Sequence, residues 1–264
     1  MTYPDRETFA ALAKDFNLIP VTRTLLADTE TPIRVFQQFA EDENAFLLES
    51  VEGGAKWARY SFIGTDPFLI VKGKAGRLEI ERNGALERHS GQPIDFLREL
   101  IGAYRSPQYE GFPRFMGGAV GFFGYDLLRS YEKKLPAHRV DDLNMNDVQF
   151  MFCDQLIVFD HLKQHMLIAA NAHIPENATA AELTEAYAQA EARIDRIVAK
   201  IQGGGAASAN AFTPRSRHEP VTVTEADFQS NVTKERFMDN VRRAKEYIRA
   251  GDIFQVVLSQ RFEM

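Results

Sequence analysis

Residues 147–171, DVQFMFCDQLIVFDHLKQHMLIAAN, contain three short apolar runs that predict neighbouring β-strands. The runs lie at 147–153, 155–161 and 165–171 and are rich in aromatic, branched and other apolar residues, a composition that favours strands. A short polar turn joins the last two runs, so we expect them to pair as a hairpin. The stretch therefore indicates a sheet rather than a helical bundle.

The same signals recur between residues 1 and 202. Strands are predicted at 45–50, 58–64, 67–73 and 117–125. GRLEIER and ALERH flank Asn83-Gly84, and both of these turn residues tolerate the positive φ of a hairpin turn. Helical spacing predicts helices over 6–16, 93–104 and about 178–202, and a further helix begins at Thr31-Pro32.

The composition changes after residue 202. Residues 203–220, GGGAASANAFTPRSRHEP, have no apolar period and predict a linker. A helix is predicted from near Thr233 to a C-cap at Gly251, followed by a strand in IFQVVLSQRFEM. Because one helix and one strand cannot close a core, we expect 1–202 to be a first domain and 221–264 the opening of a truncated second domain.

Composition and charge exclude several classes of protein. The 264 residues carry 31 basic and 37 acidic side chains, a balance that argues against nucleic acid as the main partner. No run reaches the length of a membrane span, and the polar, amphipathic start is unlike a signal peptide. The single cysteine, Cys153, excludes an internal disulfide and is typical of a reducing compartment. We therefore expect a cytoplasmic protein without a membrane partner.

Two segments are candidate binding sites by their pattern. In the predicted last strand, Phe254, Val256, Leu258 and Phe262 share one face, and Gln255 lies on the other, with Ser259 and Arg261. That polar face fits either a pocket or a solvated surface. Leu47-Leu48-Glu49-Ser50 ends in a carboxylate and a hydroxyl, which suit an ammonium or carboxylate ligand, or else the strand simply runs into solvent.

Other common site patterns are missing from the sequence. The glycines at 117, 118, 121 and 124 do not form a nucleotide-binding motif and are better explained by close backbone approach. The six histidines, of which His161 and His165 flank the predicted hairpin turn, contain no recognised metal-binding spacing. Cys153 lies in an apolar strand and is expected in the core.

Three segments together resemble the large, chorismate-binding subunit of anthranilate synthase. They are LLESVEGGAKWARYSFIG (47–64), PRFMGGAVGFFGYDLLRSYE (113–132) and GDIFQVVLSQRFEM (251–264). The resemblance implies an α+β fold of β-sheets flanked by helices. It also implies a lyase of tryptophan biosynthesis that uses chorismate, ammonia and Mg²⁺ to form anthranilate and pyruvate. A separate glutamine amidotransferase subunit supplies the ammonia.

The resemblance assigns roles to three residues. Glu49 and Ser50 match the family's LLES motif, which binds the feedback inhibitor L-tryptophan. Gln255 matches a position where related isochorismate and salicylate synthases carry a lysine. Because a neutral amide cannot act as the base that activates water, Gln255 favours ammonia as the nucleophile and is a candidate for the substrate pocket.

The resemblance places the acid-base residues and the Mg²⁺-binding glutamates downstream of Met264. We therefore assign no catalytic residue and no metal ligand within residues 1–264, and expect this N-terminal fragment to be inactive alone. Two alternatives stay open. One is the large component of aminodeoxychorismate synthase, which also uses chorismate and ammonia. The other is a non-catalytic module that binds an amino acid.

Overall fold

A computed structural model describes residues 2–39, 42–49, 59–82, 84–135, 141–203 and 223–264. The chain divides into two compact units, Met1–Ala211 and Phe212–Met264. Almost all of the expected linker at 203–220 lies outside the described residues, so the expected domain limits stay a prediction. Within the described ranges, no helix is long and apolar enough to cross a membrane.

The first unit combines helices with two antiparallel sheets, which confirms the expected α+β class. Its described helices are α1 (Arg6–Leu12), α2 (Pro32–Gln37), α3 (Pro93–Gly102) and α4 (Ala180–Gly203), with a 3-10 helix at Tyr125–Ser130. Its described strands are β1 (Thr2–Tyr3), β2 (Leu18–Leu26), β3 (Phe46–Leu48), β4 (Tyr60–Gly64), β5 (Leu69–Lys74), β6 (Arg77–Arg82), β7 (Ala85–Ser90), β8 (Gly118–Phe123), β9 (Val148–Cys153), β10 (Gln155–Asp160) and β11 (His165–His173).

The first sheet has the strand order β1-β2-β11-β10-β4-β3. Its centre is the expected hairpin, in which β10 pairs with β11 along its whole length. One face packs against α1, α2 and α4, where Ile168 meets Ile194 in one buried cluster. The other face buries Val158 and Leu167 in a separate cluster. Because both faces are covered, the middle of each strand is apolar at consecutive positions, 156–159 in β10 and 166–170 in β11, which explains their continuous runs in the sequence.

The second sheet has the strand order β7-β6-β5-β9-β8. The hairpin expected at Asn83-Gly84 is confirmed by the pairing of β6 with β7, and Gly84 has a φ of 78°. Asn83 itself lies outside the described residues. Helix α3 covers this sheet by packing Leu97 into a cluster with Leu69 and Val71. The described part of the unit thus contains three buried clusters, and its two sheets are linked where β9 leads directly into β10.

The glycine-punctuated strand is also explained by packing. Gly121 lies on β8, and a Cβ added there would collide with the backbone carbonyl oxygen of Gln149 on β9. A Cβ at Gly117 would collide with the side-chain amide of Asn171. The glycines therefore permit close approach of neighbouring backbone and side chains, as the sequence predicts.

Two features of the first unit differ from the sequence analysis. The helix expected over 6–16 ends at Leu12, because the chain then continues in a tighter turn in which the amide of Lys14 donates to the carbonyl oxygen of Ala11 (3.3 Å). Strand β2 was not expected. It forms nine residues of the first sheet and pairs with β11 along its whole length, including Pro20.

The second unit contains a capped helix, α5 (Lys234–Ala250), as expected. The side chain of Thr233 accepts a hydrogen bond from the amide of Arg236, and Gly251 ends the helix with a φ of 81°. Two short strands, β12 (Gln229–Ser230) and β13 (Phe262–Glu263), pair with each other.

The expectation of a strand beginning at Ile253 is wrong for most of its length. Residues 253–261 have no regular secondary structure, and Phe254 is 94% exposed instead of lying on a core face. Val256 and Phe262 are exposed as well. A strand is stable only when a neighbour satisfies its backbone groups. Within the described part of this unit, the only such pairing is the two-residue contact of β12 with β13.

Candidate functional site

Glu49 directly follows the edge strand β3 and is exposed. Leu48 pairs with Phe62 of β4, so Glu49 leaves the sheet at the end where β4 begins. Leu47, two residues earlier, packs partly buried against the core beneath α2. Glu49 thus combines an accessible carboxylate with an apolar neighbour, as the sequence predicts. Ser50 lies outside the described residues, so its predicted role stays a prediction.

A hydrogen-bonded pair lies at the same end of the sheet. The fully buried Ser61 places its Oγ 2.8 Å from Nε2 of the exposed His161, which follows β10. The backbone amide of His161 donates to the carbonyl oxygen of Arg59 (2.9 Å), which holds the start of the hairpin turn against β4. The sequence analysis weighed His161 only as a metal ligand and missed this pair.

Arg59 and Asp160 form a two-pronged ion pair beside it. Nε of Arg59 lies 3.1 Å from Oδ1 of Asp160, and Nη2 lies 2.7 Å from Oδ2. Partial burial opposes ionisation of Asp160, but the hydrogen bond from Arg59 and the turn amides of Lys163 and Leu162 outweigh it and lower the pKa of Asp160. The same hydrogen bond raises the pKa of Arg59. Asp160 is therefore a fixed carboxylate that anchors the turn carrying His161.

A cleft of about 1020 Å³ opens elsewhere in the first unit, lined by both sheets and α4. At its base, the buried carboxylate of Asp154 contacts two side chains, Nη1 of Arg193 at 2.7 Å and Nε2 of His173 at 3.0 Å. Nη2 of Arg193 also donates to the carbonyl oxygen of Asn171 (2.6 Å). Because Arg193 lies on α4 and the other residues lie on or between strands, this network ties the helix to the first sheet.

The sequence analysis missed this cluster, although a signal for it was present. Asp154 is a lone carboxylate between two apolar strands, and a buried charge requires a partner. Beside the cluster, the ring of His173 lies edge-on to Phe68 and Tyr104, with centroid distances of 4.8 Å and 5.9 Å. The contacts with Arg193 and His173 and the aromatic contacts account for the orientation of these groups, so the cluster is a structural junction.

Cys153 is 1% exposed and belongs to the core, as the sequence predicts. Burial, with smaller contributions from Asp154 and Asp66, raises the pKa of its thiol to about 12. The group is therefore a thiol at neutral pH and is unsuited to act as a nucleophile.

Gln255 is exposed in the irregular segment of the second unit. Glu49 belongs to the first unit and Gln255 to the second. Within the described residues, no three His, Cys, Asp or Glu side chains are grouped to hold a metal ion. The expected position of the Mg²⁺ ligands downstream of Met264 stays a prediction.

A family comparison identifies the class of this chain. A sequence model described as chorismate binding enzyme matches residues 44–264, which cover most of both units. The chain belongs to the family of chorismate binding enzymes. The family match begins just before β3 and so includes Glu49, Ser61, His161 and Gln255.

Similar proteins carry a more specific name. Anthranilate synthase component 1 of Acetivibrio thermocellus is 44% identical over 264 residues, which are 99% of this chain and 51% of that protein. The proteins of the same name from Geobacillus stearothermophilus and a Synechocystis strain are 38% and 34% identical, over 97% and 99% of this chain and 50% and 51% of their own lengths. The chain therefore spans about half the length of the curated relatives it matches. The resemblance found in the sequence is confirmed.

A crystal structure of anthranilate synthase component I from Streptococcus pneumoniae TIGR4 is also similar, at 26% identity. The match covers 90% of this chain and 48% of that one, with a TM-score of 0.49.

Proposed function

We propose that this chain is part of the chorismate-using component of an anthranilate synthase. The complete protein converts chorismate and ammonia to anthranilate and pyruvate, with Mg²⁺ as cofactor and ammonia delivered from glutamine by an amidotransferase partner. One observation carries this proposal: nearly the whole chain matches proteins named anthranilate synthase component 1 at 34–44% identity. Those names favour it over aminodeoxychorismate synthase and over a module without turnover.

Product analysis tests the proposed reaction. The full-length protein is incubated with chorismate, ammonium and Mg²⁺, and anthranilate is followed by its fluorescence while the products are separated by chromatography. We expect anthranilate and pyruvate in equal amounts. Aminodeoxychorismate as the main product would favour the sister enzyme, and the absence of any chorismate-dependent product in the presence of the partner subunit would refute a catalytic role.

We further propose that Glu49 and Ser50 bind L-tryptophan as a feedback inhibitor. The accessible carboxylate of Glu49 suits the ligand's ammonium group, and the partly buried Leu47 beside it offers an apolar contact. Both residues belong to the first unit, and the resemblance implies that the rest of the inhibitor site comes from a segment downstream of Met264. We also propose that Gln255 lines the substrate pocket of the complete protein. There its neutral amide, in place of a lysine, cannot act as the base that activates water.

A further inference from the structure

A polar corner lies at the end of the first sheet where the effector site is proposed. It consists of Glu49, Ser61 and His161. We propose that His161 is a further ligand-binding residue: its Nδ1–H binds the carboxylate of the α-amino acid whose ammonium group Glu49 holds, and Ser61 positions its ring. The proposal rests on the proposed tryptophan site and adds to it the residue that recognises the second charged end of the ligand.

Strand register brings the three residues to one face of the sheet. Leu47 pairs with Ile63 and Leu48 with Phe62, and the same register continued one step past the end of β3 brings Glu49 to the level of Ser61. Ser61 in turn pairs with Phe159 of β10. Side chains two residues apart share a face, so Glu49, Ser61 and Phe159 lie on the face of Leu47 and Ile63.

His161 follows Phe159 by two residues and presents its ring to that same face. Its ring lies nearly parallel to the Phe159 ring, with an interplanar angle of 17° and a centroid distance of 6.4 Å. The hydrogen bond to Ser61 confirms this direction, because Ser61 is reached from that face alone. The corner is therefore polar at its rim and apolar at its base, where Phe159 is 3% exposed.

The buried serine selects the tautomer of His161. Ser61 is fully buried, and a buried hydroxyl must donate its proton. Within the described residues, its Oγ has one hydrogen-bond partner, Nε2 of His161. We assign Nε2 as the acceptor of that proton, which places the proton of the neutral ring on Nδ1. Nδ1 has no hydrogen-bond partner within the described ranges, and it is therefore a donor available to an acceptor such as a carboxylate.

The neighbouring charges leave His161 free for this role. Asp160, the nearest carboxylate in sequence, is occupied by Arg59 and by two turn amides. His165 pairs opposite Asp160 and so belongs to the other face of the sheet. Tyr60 and Lys163 lie next to the residues that hold His161. Helix α2 packs on β3 and β4, and its Arg34 forms an ion pair with Glu30. At this corner, Glu49 is thus the carboxylate suited to an ammonium group, and His161 is the donor suited to a carboxylate.

The separation of the two groups fits a zwitterion. Strand β4 lies between β3 and β10, and His161 lies two residues beyond Phe159, so the backbones that carry Glu49 and His161 are about 11–12 Å apart. The side chains of glutamate and histidine extend into that gap. An α-amino acid carries an ammonium group and a carboxylate on one carbon atom and so matches the two groups in charge and hydrogen bonding.

Two isosteric variants separate ligand binding from structural support. In His161→Asn the amide nitrogen replaces Nδ1 and keeps its donor, but the contact with Ser61 is lost. In His161→Gln the amide reaches the Nε2 position and keeps the contact with Ser61, but the Nδ1 donor is lost. His165→Gln on the opposite face is the matched control.

Calorimetry measures the affinity of the full-length protein and its variants for L-tryptophan and for L-tryptophanamide. We expect His161→Gln to weaken L-tryptophan binding by about 10- to 150-fold, the range for a hydrogen bond to a charged group, with His161→Asn much closer to the parent. The amide, which lacks the carboxylate, should bind the parent and His161→Gln equally. The thermal midpoint should show the reverse order, with His161→Asn the less stable variant.

Several outcomes would overturn the inference. If Ser50→Ala weakens L-tryptophan binding but both His161 variants bind like the parent, His161 has no role and the effector site stands without it. If His161→Asn loses affinity while His161→Gln keeps it, the ring acts only through Ser61. If the parent binds no L-tryptophan, the proposed effector site fails and this inference fails with it. Nitrogen NMR of the parent adds a test without substitutions, because a proton on Nε2 instead of Nδ1 would contradict the assigned tautomer.

Discussion

Replacing Asp154 by asparagine should markedly destabilise the first unit. The side chain of Asp154 is 5% exposed, and those of its partners Arg193 and His173 are 19% and 39% exposed. Asparagine preserves the shape but removes the charge, so Arg193 loses its carboxylate partner and retains its bond to the carbonyl oxygen of Asn171. Removing one partner of a buried pair costs about 3–5 kcal/mol. Because Arg193 retains one acceptor and some contact with solvent, we expect about 2–4 kcal/mol here.

The expected loss can be measured by thermal unfolding followed by circular dichroism. For a unit of this size, 2–4 kcal/mol corresponds to a midpoint lower by roughly 4–16 °C. Asp195→Asn is the matched control, because it removes the same charge from an ion pair with Arg23 in which Asp195 is 64% exposed. That surface pair should contribute no more than about 1 kcal/mol. Equal midpoints for the two variants would refute the conclusion that Asp154 ties α4 to the sheet.

Four further predictions concern catalysis, feedback and pH. Residues 1–264 alone should form no anthranilate from chorismate, ammonia and Mg²⁺, and measurable fluorescence would show that the acid-base groups are present in this chain. Ser50→Ala in the full-length protein should raise the tryptophan inhibition constant by about 10- to 150-fold, through loss of a hydrogen bond to a charged ligand, and an unchanged constant would remove Ser50 from the site. Gln255→Lys should depress anthranilate formation in a variant whose thermal midpoint matches that of the parent, and an unchanged rate would show that Gln255 does not line the reacting centre. Because the pKa of Asp160 is lowered in the fold, its stabilising effect is present above the ordinary carboxyl pKa of about 4 and is lost as the pH falls through the lower folded value. The stability difference between the parent and Asp160→Asn should therefore be greatest near neutral pH and shrink in acid, and a difference that persists unchanged at pH 2 would contradict this.

Local sequence signals predicted the elements whose stability is local. The turn at Asn83-Gly84 was predictable because positive φ restricts the residues that can occupy it. The cap at Thr233 and the stop at Gly251 were predictable for the same kind of reason, since each satisfies or ends a helix through adjacent backbone groups. The central hairpin was predictable because burial on both faces makes each strand apolar along its length.

Elements that depend on distant partners were not predictable in this way. Strand β2 contains Pro20, which lacks a backbone N–H and usually argues against a strand within a sheet. In the fold, β1 pairs only with Thr22 and Arg23, so at Pro20 the strand has a described neighbour on one side alone, where it faces Asn171. The strand prediction for the segment from Ile253 is wrong for the opposite reason. Its alternating pattern suits a strand, but the described part of its unit provides almost no pairing partner. A strand requires both a suitable sequence and a neighbour, and a sequence displays only the first.

The same distinction separates the parts of the candidate site. Glu49 could be singled out because a carboxylate at the end of an apolar strand is visible in one short stretch. Ser61 and His161 could not be paired from the sequence, since 100 residues separate them and only the placement of β4 beside β10 joins them. The register that buries Ile63 and Phe159 also fixes Ser61 beneath the ring of His161. The same strand register therefore sets both the packing of the core and the orientation of the imidazole. A substitution that shifts β4 against β10 should reduce effector binding even where it leaves Glu49 in place.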